Sequence, residues 1–172
     1  MLRYRLHGEG LLRPAEASRP PAPVLSLLVW GHVDAGSRLV LEPALVVEAP
    51  PALPQAPGPY RIAGAAADGA ALFDFSFDVP VAADGDGRSG FAFALPVQPG
   101  WPDSLASITL SGPGGSFTLE EETGRPVTVL RDGPAGQVTA IVREPAAANA
   151  LRGATGPGLY SRGIPEPGAW NR

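Results

Sequence analysis

Asp84-Gly85-Asp86-Gly87 has the residue types of a calcium loop and sits inside "FDFSFDVPVAADGDGRSGFAFALPV", residues 73 to 97. Carboxylates supply the hard oxygen donors that calcium takes, and glycine permits the sharp turn around the ion. An EF-hand loop needs oxygens at its first, third and fifth positions, glycine at the sixth and glutamate at the twelfth. Counted from Asp84, Asp86 fits the third position, but the fifth is Arg88, the sixth Ser89 and the twelfth Leu95. A cation at the fifth position repels the metal. A looser calcium site would use Asp84, Asp86 and Asp78. The simpler expectation is a loop from Pro80 to Gly90, in which Asp and Gly supply turn geometry and no cofactor is bound.

Acid–base and nucleophilic chemistry have few other carriers. The two histidines, His7 and His32, are far apart, and neither belongs to an H-E-x-x-H pair. His32 precedes Asp34 by two residues, a spacing at which a carboxylate can orient an imidazole, but no G-x-S-x-G elbow accompanies them. Two carboxylates alone suffice for a glycosidase. Glu120, Glu121 and Glu122 are adjacent, so their side chains alternate faces if a strand continues through them. Asp74 and Asp78 share a strand face and are placed to pair with arginines. "GPGG" at 112 to 115 lacks the Gly-Lys-Ser/Thr of a phosphate loop. No catalytic set is therefore expected. For ligand binding the candidates are Trp101, in the proline-bounded "VQPGWPDS", and Tyr60, whose rings could stack on a sugar; Trp30 and Trp170 complete the indoles. Core anchoring is the competing role, since an indole gains much by burial.

The elements that must position these residues read as strands. "VLSLLVWGHV" (24–33) leads through the turn "DAGS" into "RLVLEPALVVEA" (38–49), where Pro43 implies a bulge or an edge. "PPALPQAPGP" is an extended crossover. "YRIAGAA" and "ALFDFSFDV" flank a tight turn. In the latter, Phe73, Phe75, Phe77 and Val79 fall on one face and Asp74, Ser76 and Asp78 on the other. "FAFALPV" repeats that alternation with Phe91, Phe93, Leu95 and Val97, and reads as its partner in a sheet. Two hairpin-like pairs follow, then one or two helical turns at 145–153 and a short strand near "LYSRGI". Eight or nine strands with frequent turn signals predict an all-β fold, an antiparallel β-sandwich, immunoglobulin-like or related. The expected organisation is an N-terminal arm or linker (1–23), a β-sandwich domain (24–164) and a C-terminal tail (165–172).

Composition agrees. Glycine (22) and proline (21) make up a quarter of the 172 residues and punctuate apolar runs, while charged residues are 17%. The net charge of −4 gives no footprint for nucleic acid. Every basic side chain other than histidine is arginine. With no cysteine, disulfides and thiolate zinc sites are excluded. The start has no continuous apolar stretch, so it is not read as a signal peptide. No run approaches the about 20 residues of a membrane span.

The order of "VWGHVDAGSRLVLEPALVVEAPPALP", "GPYRIAGAAADGAALFDFSF", "FAFALPV", "LASITLSGPGG" and "VLRDGPAGQVTAIVRE", followed by "SRGIP" and a tryptophan, resembles a C-terminal accessory region of large secreted bacterial metallopeptidases of the zincin type. "MLRYRL" is similar to the end of the preceding domain. The resemblance implies that the zinc-binding helix lies upstream and that no catalytic residue falls in this chain. It further implies a noncatalytic accessory or interaction domain, extracellular or at the cell surface as part of a larger protein. Its partner would be the parent catalytic domain or a protein or glycan surface. The alternatives are a carbohydrate-binding module and a small carboxylate-dependent hydrolase.

Overall fold

"VLSLLVWGHV" is apolar on both sides of its pleat, and it becomes the strand around which the others assemble. A computed structural model describes residues 22–79, 87–132, 137–150 and 158–171. Among these the strands are β1 (Val24–Val33), β2 (Leu39–Leu41), β3 (Leu45–Ala49), β4 (Tyr60–Ala66), β5 (Ala71–Phe77), β6 (Ser89–Pro96), β7 (Leu105–Gly112), β8 (Gly115–Leu119), β9 (Val127–Asp132), β10 (Gln137–Val142) and β11 (Leu159–Ser161). Two short helices, α1 (Trp101–Ser104) and α2 (Pro145–Ala150), and a closing 3-10 helix (Pro167–Asn171) complete them.

All pairings are antiparallel, and the result is an all-β, sandwich-like fold. The first sheet has β1 at its centre, with β6 on one edge and both β2 and β3 on the other. The predicted return strand 38–49 is thus one strand interrupted at Pro43. Leu28 pairs with Leu45 and Gly31 with Leu41, so Glu42–Ala44 stand against only Val29 and Trp30. Proline has no N–H to give a ladder, and the bulge removes the need for one. Pro43 instead accepts at its carbonyl from Trp30 Nε1–H, 2.9 Å. Ala44 N–H leaves the sheet for the Gly163 carbonyl, 2.8 Å.

The second sheet runs β5-β4-β7-β8. Its inner face packs on the first sheet: Leu27, Val29, Val46 and Leu95 meet Ile62, Phe77, Ile108 and Leu110 in one buried cluster. Burying each of these aliphatic or phenyl side chains stabilises by roughly 1.5–3 kcal/mol. Here the sheet partnership read from the alternation is corrected. β5 pairs with β4 in the second sheet and β6 with β1 in the first. Their phenylalanines meet face to face across the sandwich: Phe77 lies 5.0 Å from Phe91 and 4.9 Å from Phe93, and Phe75 lies edge-on to Phe93 at 5.3 Å. The expectation that these rings form core holds; the chain between them crosses from sheet to sheet.

A third sheet, β10-β9-β11, covers the opposite face of the first. Its Val127, Val129 and Leu159 bury Leu45 and pack on Leu28, Trp30 and Val47. On β1, Leu25, Leu27 and Val29 therefore serve one core while Leu28 and Trp30 serve another. In the C-terminal tail, Trp170 is buried in the larger core, with Nε1–H donated to the Pro165 carbonyl, 3.3 Å.

The fully buried Phe77 touches four other rings, whereas Phe75 is half-buried. Phe77→Ala is expected to lower unfolding free energy by about 3–5 kcal/mol, and Phe75→Ala by less. Urea denaturation of both variants checks this; equal losses would contradict the assigned core.

Candidate functional site

A concavity lies where β8 ends. A strand does not continue through Glu120–Glu122: β8 stops at Leu119 and the chain turns. Thr123 makes that turn. Its Oγ1 accepts from Glu120 N–H at 2.6 Å, while Gly124 N–H donates to the Arg162 carbonyl at 2.6 Å and Ile164 N–H to the Glu120 carbonyl at 3.1 Å. The three glutamates thus project from a turn stitched to the segment after β11. Beside them opens a groove of about 740 Å³, lined also by Ala66, Ala67, Ala106 and Ser107. The carboxylates all belong to one wall, and the other lining residues are alanines, a serine and Thr123. A glycosidase pair needs carboxyl groups on both sides of a scissile bond, so this groove has half of such a site. Glu122 is further engaged by Arg162 Nη1 at 3.6 Å.

The remaining candidates are dispersed by the fold. His32 sits half-buried on β1, paired with Val40 and Gly90. Asp34, its proposed orienter, is occupied by the 34–38 turn, where its Oδ1 accepts from Gly36 N–H at 2.9 Å and Arg38 N–H at 2.8 Å. Of the calcium candidates, Asp78 is exposed just after β5, and Asp84 and Asp86 lie outside the described residues. Among the described residues no three His, Asp or Glu side chains gather as a metal cluster. No described helix is long and apolar enough to cross a membrane.

Of the two roles open to the aromatic candidates, core anchoring is the one that Trp101 takes. Trp101 is not an exposed loop ring: it is 7% exposed and its ring centroid is 4.9 Å from that of Phe73. The reason is local. Gly100 takes φ 90°, a left-handed conformation available to glycine. Trp101 N–H closes a turn on the Gln98 carbonyl at 3.2 Å, and the indole joins the core. Tyr60 is half-buried, 5.8 Å from Phe77. Its ring lies where a side chain at Gly112 of the neighbouring β7 would be. Sequence reasoning passed over Trp30 as a packing centre. Besides its bond to Pro43, its ring carries the Arg143 guanidinium at 5.0 Å, a cation–π contact. The available signal was its place on β1, an otherwise apolar run with no polar face.

The outer face of the second sheet is polar. Arg61 on β4 and Asp74 on β5 form a two-pronged ion pair, Nε to Oδ1 at 2.9 Å and Nη2 to Oδ2. This is the arginine partnership that the strand pattern predicted for Asp74. Thr109 and Thr118 bridge β7 and β8 at 3.0 Å.

The chain matches no protein-family model, no curated protein and no solved structure.

Hydrogen bonding from Arg61 holds the Asp74 carboxyl below the ordinary carboxylate pKa, with the guanidinium charge adding to it against a desolvation effect of opposite sign. Because the folded value is the lower one, the stabilisation is present above the ordinary pKa and is lost as pH falls through the depressed one. Both groups are largely exposed, so the effect on stability is small. Arg61→Ala is expected to return the Asp74 titration upward to the ordinary range in a carboxyl-detected NMR pH series; an unmoved midpoint would show that the pair does not persist in solution.

Proposed function

We propose that the chain is a noncatalytic accessory or interaction domain of a secreted bacterial metallopeptidase, which supports the catalytic domain or holds substrate or a cell surface. One observation supports the noncatalytic part: several of the described carboxylates are engaged in turns, helix capping and ion pairs. Asp34 and Asp68 accept from turn N–H groups, Asp74 pairs with Arg61, and Glu122 with Arg162. Glu42 faces Arg143 at 4.0 Å. Glu144 caps α2, accepting from Ala146 and Ala147 N–H at 3.2 and 2.6 Å. A general acid or nucleophile needs a carboxyl group left for the substrate. The association with a metallopeptidase rests on the resemblance of the sequence segments quoted above. An aromatic platform for a sugar needs an exposed ring face; the burial of Trp101 weighs against that alternative.

Incubation of the purified chain with casein and a peptide library, with zinc added, is expected to give no cleavage above a protein-free control. Reproducible turnover that copurifies with the chain would overturn the noncatalytic reading. The accessory role has its own test. The genomic sequence upstream of Met1 is expected to continue in phase and to encode an H-E-x-x-H helix; an in-phase stop codon in its place would remove that role.

A further inference from the structure

The edges of the first two sheets are obstructed in ways that discourage pairing with another strand. The edge of β6 is covered where Ala52 and Ala94 exchange two hydrogen bonds of 2.9 Å. That of β2 and β3 is broken at Pro43, and Ala44 N–H is used by Gly163. On β5, Asp74 and its arginine partner present charge. β8 runs into Gly114, whose backbone lies against Ser37.

β10 carries neither charge nor proline. Its sequence, QVTAIV, is four-sixths β-branched, and among the described residues the strand forms one edge of the third sheet. The pairing with β9 shifts register between Val138 and Ala140, so that Val138 stands opposite Arg131 and Ile141 opposite Val129. Directly paired residues share a face, and alternate residues of β9 do too. Val138 and Ile141 therefore both lie on the face of Val127 and Val129. Without the bulge, residues three apart would point to opposite faces. The smaller core covers Val127, Val129 and Leu159 but ends short of β10, leaving Val138 59% and Ile141 47% exposed.

We propose that β10 is a self-association edge, paired antiparallel with β10 of a second copy of this chain. A two-fold axis between Thr139 and Ala140 sets Val138 of each copy opposite Ile141 of the other. Both apolar pairs then fall on one face and extend the smaller core across the junction. Charge selects this occupant. All residues from Gln137 to Val142 are uncharged, so self-pairing places no like charges opposite one another. A strand guarded by lysine, glutamate or proline would set a charge, or a missing N–H, against this apolar edge. The bulge at Thr139 makes the strand complementary to itself by bringing its two large aliphatic side chains onto one face. The inference rests on the third sheet alone and does not require the accessory role.

Sedimentation of the full chain from roughly 1 μM to 1 mM is expected to show a monomer–dimer equilibrium. Val138→Lys and Ile141→Lys, both at exposed positions, should each weaken it by about tenfold or more while leaving circular dichroism unchanged. The chain has no cysteine, so a crosslink reports register without ambiguity. Val138→Cys mixed with Ile141→Cys should form a disulfide-linked dimer on oxidation, and either variant alone should not. A monomer throughout the concentration range overturns the proposal, including a monomer that binds a foreign peptide at β10. So does a dimer indifferent to both lysine variants, or crosslinking as efficient in the single variants as in the mixture.

Discussion

The fold depends on one strand having no solvent face. β1 lies between two cores, so its side chains must be apolar in both directions, and its edges are both taken, by β6 on one side and by β2 and β3 on the other. His32, near the end of the strand, is half-buried; Ser26 is the polar residue taken fully inside. It is fully buried, and its hydroxyl lies 3.2 Å from both the Val24 and Ala49 carbonyls, so burial does not leave the donor unpaired. A strand so placed loses alternation as a signal. That is why a continuous apolar run, an ambiguous pattern by itself, marks the centre of the molecule.

The break at Pro43 is the second organising feature. A single uninterrupted partner for β1 would carry its ladder on through residues 42 to 44. The bulge releases Ala44 N–H to the segment after β11, and a side-chain donor, Trp30 Nε1–H, meets the carbonyl of the proline itself. One local irregularity thereby connects the first sheet to residues more than a hundred positions later. It also fixes the Trp30 ring on which Arg143 rests.

Much of this was legible in the residues. The alternation of Phe73, Phe75 and Phe77 and of Phe91, Phe93 and Leu95 identifies two half-buried strands, and the rings do meet in the core. Alternation shows which face is apolar but not whether the opposing strand is its neighbour in a sheet or its counterpart across the sandwich. The same pattern satisfies both. Pro43 announced the interruption, because a missing N–H has a direct backbone consequence. Trp101 was legible as an indole in a proline-bounded loop, with core anchoring as one of its two roles. Its burial follows from the left-handed turn at Gly100 together with the position of Phe73, far away in sequence. The same distance effect governs the carboxylates. That Asp74 would find an arginine follows from strand geometry. That Glu122 meets Arg162 depends on how the last segment returns.

That return has a consequence for the order in which the chain can mature. Leu159, Gly163, Ile164 and Trp170 complete both cores and the Ala44 hydrogen bond, although the strand that they help to enclose begins at Val24. The outer face of β1 is covered by Val127, Val129 and Leu159, all far later in the chain, so that face stays wet until those distant segments dock. Until then a folding chain carries Leu28 and Trp30 uncovered, the kind of transient apolar surface that favours aggregation.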